Sequence, residues 1–164
     1  MKLTAALAVS AMLAAPSFAA PRAAVEHLGT PVAGRPFSTA VRAGDMLYLS
    51  GQLGLSADGT LPAEFDPQAR QMMDNIGDVL KSAGLGWGDV VHCTVMLSDM
   101  ANWPAFNKIY AGYFAGYRFP ARSAFGTNGL ALGAKVELEC QAYAGAKSTI
   151  GHCKLPDRHI FFAM

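Results

Sequence analysis

The sequence has little charge and lacks the common phosphate, nucleotide and hydrolase motifs. Only 15% of its 164 residues are charged, and the formal net charge is +1, with no run of lysine and arginine. Nucleic-acid-binding proteins usually carry a basic face or stripe, so this balance argues against a nucleic-acid partner. GxGxxG, P-loop, HExxH, paired CxxC and GxSxG patterns are also missing. We therefore expect neither a cofactor nor a metal ion.

Cysteine is scarce, and its number is odd. The three cysteines are Cys93, Cys140 and Cys153, so at least one of them has no partner within the chain. Cys93 and Cys140 fall in predicted strands, where unpaired cysteine packs as a small apolar residue. We expect both to be buried free thiols, and a Cys140–Cys153 bridge stays open as an alternative.

The N-terminus has the pattern of a secretory signal peptide. Lys2 is followed by an apolar stretch over residues 3–15, and Ser17 and Ala19 are the small residues that a signal peptidase requires. We expect residues 1–19 to be removed by cleavage after Ala19. The mature protein would then be periplasmic or secreted, without a membrane anchor. An uncleaved anchor is the alternative, although the apolar stretch is short for a membrane span.

The rest of the chain divides into one domain, residues 20–145, and a tail, residues 146–164. A hydrophobic content of 52% is enough for a packed core. The tail brings His152, Cys153 and His159 close in sequence, but their spacing matches no zinc pattern and supplies one ligand too few.

Periodicity predicts two helices among several short strands. The first helix is expected over 65–84, with Asp66 as N-cap, Pro67 in the first turn and Gly84 at its end. The second is expected over about 102–115. Strands are expected at 25–28, 35–42, 46–52, 90–97 and twice within 119–145. This order is not a steady strand–helix alternation, so it favours an α+β fold with a mixed sheet.

Two helices can cover only one face of such a sheet. The strand at 90–97 has apolar residues in both alternating phases, with Val91, Cys93, Val95 and Leu97 on one side. The second face therefore needs another cover, and self-association is the simplest one.

The stretch 119–145 holds the best candidate for chemistry. We expect its two strands to form a hairpin that brings Arg122 and Glu137 side by side. A strand-held arginine suits the binding of a carboxylate, and a neighbouring glutamate suits the handling of water or a proton. A cross-strand salt bridge on a solvated sheet face is the alternative.

Five stretches together resemble the RidA/YjgF family, also called endoribonuclease L-PSP and chorismate-mutase-like. They are LSGQ at 49–52, DVV at 89–91 with TVMLSDM at 94–100, FNKIY at 106–110, FPARS at 119–123 and VELE at 136–139. The resemblance spans about residues 35–145, and the arginine element with the later Val-Glu is its most specific part.

The resemblance implies a small α+β sandwich that assembles as a homotrimer with ligand clefts between subunits. It also implies cofactor-free hydrolysis of enamines and imines, such as 2-aminoacrylate, to 2-keto acids and ammonia. The family's carboxylate-binding arginine falls on Arg122, and its water-positioning glutamate falls on Glu137. The other implied substrate-binding positions are Ser50, Gly51, Asn107, Phe37 and Ala124.

Two positions depart from the family pattern. Phe37 stands where the family often has tyrosine, and Ala124 stands where it often has cysteine. These changes leave room for a second reading, a non-catalytic trimeric binder of small carboxylates in the periplasm. The family's older ribonuclease label fits poorly with a net charge near zero.

Overall fold

A computed structural model describes residues 24–30 and 34–145 of the protein. The expected signal peptide, the cleavage site after Ala19, Cys153 and the tail lie outside these residues. The chain forms, in order, β1 (Val25–Leu28), β2 (Ala40–Ala43), β3 (Met46–Leu49), β4 (Gln52–Leu53), α1 (Phe65–Ser82), β5 (Val90–Leu97), α2 (Trp103–Tyr113), β6 (Ala121–Gly126) and β7 (Val136–Tyr143).

All of the strands belong to one mixed sheet. The order is β1-β2-β3-β7-β5-β6, with β4 also paired to β7. β5 and β6 are parallel, and the other neighbouring pairs are antiparallel. A parallel pair needs a crossover connection, which α2 supplies between β5 and β6. The predicted α+β fold with a mixed sheet is confirmed.

The predicted hairpin within 119–145 is wrong. β6 and β7 are not neighbours, because β5 lies between them. β5 pairs with β6 on one side and with β7 on the other. Strands close in sequence usually pair, but here the crossover through α2 places β6 at the sheet edge and sends β7 to the sheet centre. By contrast, β2 and β3, which follow each other in the chain through a turn at Gly44 and Asp45, do pair with each other.

Both helices lie against one face of the sheet, called the covered face below. The fully buried residues of α1 repeat at helical spacing, as the sequence predicts: Ala69, Met72, Met73, Ile76 and Leu80. Phe106, Ile109 and Tyr110 of α2 join the same core. The sheet contributes Leu47, Val95 and Leu138, which are completely buried.

The start of α1 differs from the prediction. Glu64 occupies the N-cap position, and Asp66 lies inside the first turn. There the negative charge of Asp66 interacts favourably with the helix dipole, although the side chain makes no capping hydrogen bond. Gly84 follows the C-cap with a φ of +73°, which suits glycine. No helix in the described residues is long and apolar enough to cross a membrane.

β5 shows one departure from simple alternation. Cys93, Val95 and Leu97 are buried on the covered face, but Val91 is 42% exposed. The pairing register with β7 shifts between Val90 and His92. Such a bulge turns one residue out of phase, so Val90 takes the buried position that the sequence assigns to Val91.

The opposite side of the sheet, called the bare face below, carries apolar side chains among polar ones. Tyr48, Phe125 and Tyr143 are between 40% and 48% exposed, and Met96 is half-buried. No helix of the described residues covers them. Self-association through this face stays a prediction that these exposed rings support.

The expectation of free thiols at Cys93 and Cys140 is also wrong. The two form a disulfide between paired positions of β5 and β7. Directly opposite residues of an antiparallel pair bring their Cβ atoms close enough for a bridge. The alternative Cys140–Cys153 bridge is therefore excluded by the partner that Cys140 already has.

Candidate active site

Arg122 is held against α2 by its place on the edge strand. In β6 it is the register partner of Cys93, so its side chain lies on the covered face beside the helix. Its Nη2 atom donates a hydrogen bond of 2.8 Å to Oδ1 of Asn107. The structure thus brings together two of the predicted site residues from different elements.

Aromatic rings surround the guanidinium of Arg122. Its Cζ atom lies 4.6 Å from the ring centroids of both Trp103 and Tyr110, and 5.9 Å from that of Phe106. These cation–π contacts fix a planar group without neutralising it. Burial lowers the pKa of Arg122, and the Tyr110 hydroxyl opposes this shift, but a guanidinium stays charged at any physiological pH.

Trp103 and Tyr110 are not among the site residues expected from the sequence, because aromatic residues at helical spacing indicate a buried apolar stripe. Their signal was their spacing with Phe106, at i, i+3 and i+7, which aligns three rings on one helix face. Arg122, Asn107, Trp103 and Tyr110 are called the arginine cluster below.

A cavity of about 400 Å³ opens beside the arginine cluster. Its walls are Asn107, Tyr110, Ala111, Phe119, Pro120 and Arg122. This size lies in the range of small-molecule sites, and one cation in a mostly apolar wall suits a small organic anion. Burial raises the pKa of Tyr110 to about 12, opposed in part by Arg122, so its hydroxyl remains protonated.

Ala124 lies two residues beyond Arg122 on the same side of β6. It is half-buried and packs against the core. Its methyl group supplies no polar contact next to the arginine cluster.

Glu137 lies on the bare face, at the second position of β7. It alternates with the buried residues Val136 and Leu138, and it is the register partner of Met96 in β5 and Leu53 in β4. A Cβ atom at Gly51 would collide with the Glu137 carboxylate. Glycine at position 51 therefore makes room for the glutamate at the break between β3 and β4.

Ser50 fixes this break by hydrogen bonds to the chain before β2. Its hydroxyl donates to the carbonyl oxygen of Ser38 at 2.6 Å, and its backbone N–H donates to the carbonyl oxygen of Thr39 at 3.0 Å. With its proton engaged, the Ser50 hydroxyl orders the backbone around Gly51. Ser50, Gly51 and Glu137 are called the glutamate cluster below.

The pKa of Glu137 is raised above the ordinary value of a glutamate. Partial burial is the larger cause, and the negative charge of Glu139 on the same strand face is the second. Both effects disfavour the ionised form. A carboxyl group tuned in this direction exchanges protons closer to neutral pH.

Phe37 lies near the glutamate cluster, at the wall of a second cavity. Its ring is 61% exposed, and the cavity of about 440 Å³ also touches Arg35 and Ser38. The ring offers apolar surface and no hydroxyl.

Arg122 and Glu137 do not meet within one chain. They are separated by two strand spacings and three residues along the strands, which places their Cα atoms about 14 Å apart. Their side chains also point to opposite faces of the sheet. The predicted side-by-side pair and the alternative salt bridge are therefore both wrong, and the reason is the intervening β5.

In the described residues, no group of three or more histidine, cysteine, aspartate or glutamate side chains could hold a metal ion. The candidate site thus offers the fixed guanidinium of Arg122 and the Glu137 carboxyl group with its raised pKa. A small cavity adjoins the arginine cluster, and a second one is lined by Phe37.

The fold and these two clusters define a class: a small α+β protein with an arginine held between aromatic rings and a separate acid with a raised pKa on one mixed sheet. The model of the endoribonuclease L-PSP family matches residues 28–144. The chain belongs to this family, which is the RidA/YjgF family.

Named relatives and a solved structure support the same family assignment. The chain is 40% identical over 114 residues to Reactive Intermediate Deaminase A, chloroplastic, of Arabidopsis thaliana, covering 68% of this chain and 60% of that protein. It is 37% identical over 126 residues to the mouse 2-iminobutanoate/2-iminopropanoate deaminase, covering 76% and 93%. A Rid-family protein of unknown function from Yersinia pestis superposes with a TM-score of 0.70 at 36% identity, covering 73% and 99%.

Proposed function

We propose that this protein hydrolyses 2-imino acids and their enamine tautomers to 2-keto acids and ammonia, at sites shared between subunits of a homotrimer. Several relatives at 34–40% identity carry the name 2-iminobutanoate/2-iminopropanoate deaminase, which supports a reaction of this type. The reaction consumes one water, needs no redox partner and involves proton transfers, formation of a C–O bond and cleavage of the C–N bond.

The arginine cluster binds the substrate carboxylate. The Asn107 hydrogen bond and the rings of Trp103 and Tyr110 hold the guanidinium, so its remaining N–H groups are ordered before the substrate arrives. A planar fork of this kind matches a carboxylate with two parallel hydrogen bonds. Ordering in the free protein reduces the entropy cost of binding.

Glu137 handles the water and its protons. The ionised carboxylate accepts a proton from water as the water oxygen bonds to the imine carbon, and the π electron pair moves to nitrogen. Glu137 then returns this proton to nitrogen, which gives a neutral carbinolamine. Glu137 next takes the proton of the carbinolamine hydroxyl as the C=O bond forms, and it delivers that proton to nitrogen as the C–N bond breaks and ammonia leaves. A carboxyl group with a raised pKa serves both directions better than an ordinary one.

The separation of Arg122 and Glu137 carries the proposal for a shared site. The two side chains point to opposite faces of one sheet with Cα atoms about 14 Å apart, so a small imino acid cannot touch both in one chain. A neighbouring subunit that supplies the missing partner to each cluster solves this. The exposed rings on the bare face provide apolar surface for such an assembly.

We also propose that the protein works in the periplasm or outside the cell. The signal-peptide pattern of residues 1–19 is the sequence argument. The Cys93–Cys140 disulfide supports it, because disulfides persist in oxidising compartments and are rare in the cytosol.

Subunit mixing tests the shared site directly. Arg122→Ala and Glu137→Gln chains are unfolded, mixed in equal amounts and refolded, and hydrolysis of 2-iminopropanoate is measured. Random trimers place an intact arginine cluster opposite an intact glutamate cluster at about one interface in four. We expect about a quarter of the wild-type activity from the mixture and almost none from either variant refolded alone.

A mixture as inactive as its components would contradict the shared site. Wild-type protein that binds 2-keto acids, seen as ligand-dependent thermal stabilisation, but hydrolyses no imine would instead identify the non-catalytic binder. The missing hydroxyl at Phe37 and the missing thiol at Ala124 are the features that would favour that outcome.

A further inference from the structure

The second cavity adjoins the glutamate cluster and carries a cation of its own. Its wall includes Arg35, His27 and Phe37. Ser38, which also lines it, accepts the hydrogen bond from the Ser50 hydroxyl, and Gly51 next to Ser50 lies against Glu137. The Ser50–Ser38 hydrogen bond therefore connects the wall of this cavity to the glutamate cluster.

Among the described residues, Arg35 differs from Arg42 and Arg122 in that no hydrogen bond holds its guanidinium. Arg42 donates to the carbonyl oxygen of Ala83 at 3.0 Å, and Arg122 donates to Asn107. Nδ1 of His27 lies 3.0 Å from the Ser38 hydroxyl. In the part of the chain that the structure describes, the exposed Arg35 side chain has no hydrogen-bond or ion-pair partner.

The backbone at Arg35 is restricted by the residue that follows. Pro36 disfavours the helical region for the residue before it and has a fixed φ of its own. The Arg35 side chain is exposed at the cavity wall. A cation at the wall of a small cavity suits recognition of an anionic group on a ligand.

We propose that Arg35 binds a second acidic group of the substrate, so that the site selects 2-imino dicarboxylates over neutral 2-imino acids. This inference rests on the proposed imine hydrolysis. The first carboxylate pairs with Arg122 of the adjoining subunit, the imine carbon faces Glu137, and the distal carboxylate reaches Arg35. The distal group takes no part in bond making or breaking, so Arg35 acts in specificity alone.

Paired substrates isolate the distal charge. Amino-acid oxidases convert glutamate and norvaline in situ to imines that differ only by a terminal carboxylate in place of a methyl group. We expect wild-type protein to favour the glutamate imine in kcat/KM. In Arg35→Gln, the ratio of the glutamate to the norvaline value should fall about tenfold, the loss of one charge-assisted hydrogen bond.

Two further variants sharpen the result. Arg35→Lys keeps the charge and should retain part of the ratio, because lysine lacks the planar fork. Arg70→Gln removes an exposed arginine from α1 and should leave the ratio at the wild-type value. Raised salt should lower the wild-type ratio and affect Arg35→Gln less, because the contact is partly exposed.

Product binding separates this inference from the proposed function. Titration with 2-oxoglutarate and 2-oxopentanoate measures the same charge preference without turnover. Equal ratios for wild type and Arg35→Gln in both kinetics and titration would overturn the role of Arg35 and leave imine hydrolysis intact. If no imine is hydrolysed, the proposed function fails, whereas a preference for 2-oxoglutarate that is lost in Arg35→Gln would still support the role of Arg35.

Discussion

Arg122 and Glu137 differ in how much of their surroundings one chain supplies. Arg122 has a hydrogen bond to Asn107 and two aromatic rings at 4.6 Å, all from α2. In the part of the chain that the structure describes, the Glu137 carboxylate has no hydrogen-bond or ion-pair partner. The Glu137 carboxylate lies against Gly51, and the negative charge of Glu139 is nearby.

This difference follows from the two faces of the sheet. On the covered face, folding of the chain itself orders the arginine, because α2 packs there to bury its apolar stripe. On the bare face, no element of the described chain comes over Glu137. Folding of one chain therefore orders the whole arginine cluster, and in the proposed assembly the glutamate cluster gains a cation from a neighbouring subunit.

The largest expected effect comes from removing the charge of the arginine cluster. Arg122→Ala should lower kcat/KM for 2-iminopropanoate by about 10²- to 10³-fold, because two charge-assisted hydrogen bonds to the carboxylate are lost. The loss should appear mainly in KM and in the Kd for pyruvate. Steady-state kinetics and calorimetric titration measure the two quantities.

Arg118→Ala is the matched control, since Arg118 is an exposed arginine on the segment just before β6. It should bind pyruvate as wild type does. Unchanged binding in Arg122→Ala would show that the arginine cluster is a structural feature of the α2–β6 contact and that the substrate binds elsewhere.

The second effect concerns the disulfide that joins the strands behind the two clusters. Cys93 is the register partner of Arg122, and Cys140 lies three residues from Glu137 on β7. Closing a loop of 47 residues restricts the unfolded chain, which corresponds to about 4 kcal/mol of stabilisation in the chain-entropy model. We expect Cys93→Ala/Cys140→Ala to lower the free energy of unfolding by about 2–4 kcal/mol.

Denaturant titration measures this change. A Cys153→Ala background leaves no third thiol for exchange, and oxidised and reduced forms of that protein can be compared directly. Reduction before refolding should produce a loss similar to the double substitution. Equal transition midpoints for the oxidised and reduced forms would contradict a stabilising role.

The sequence predicted what depends on local pattern and missed what depends on strand order. Helical spacing placed α1 and α2 correctly to within a few residues. The family resemblance named both Arg122 and Asn107 as site residues, and the structure brings them into contact. The hairpin, the disulfide and the faces of Arg122 and Glu137 all depend on β5 lying between β6 and β7. Periodicity shows which residues share a face of one strand, but it does not show which strands are neighbours.

The same limit explains the aromatic contacts of Arg122. Trp103 and Tyr110 satisfy the pattern of a buried helix stripe equally well with or without an arginine beside them. Only the parallel pairing of β5 and β6, through the crossover of α2, brings the edge strand under these rings. Homotrimer assembly and export stay predictions that the mixing experiment and a mass measurement of the mature protein can test.

The smallest expected effect tests the glutamate cluster through the pKa of Glu137. Glu137 must be ionised to accept a proton from water, so activity falls as the pH drops through its raised pKa. Burial is the main cause of that shift, and Glu139 adds to it. Removing the like charge in Glu139→Gln favours the ionised form, and the acidic limb of kcat/KM should therefore move to lower pH. The limb should stay above the pH expected for an ordinary glutamate, because burial remains. High salt should reduce the difference from wild type, because exposed charges are screened.

The control is Glu26→Gln on the outer strand β1, which should leave the acidic limb of kcat/KM in place. A limb that does not move in Glu139→Gln, or that moves to higher pH, would show that a group other than Glu137 controls the reaction.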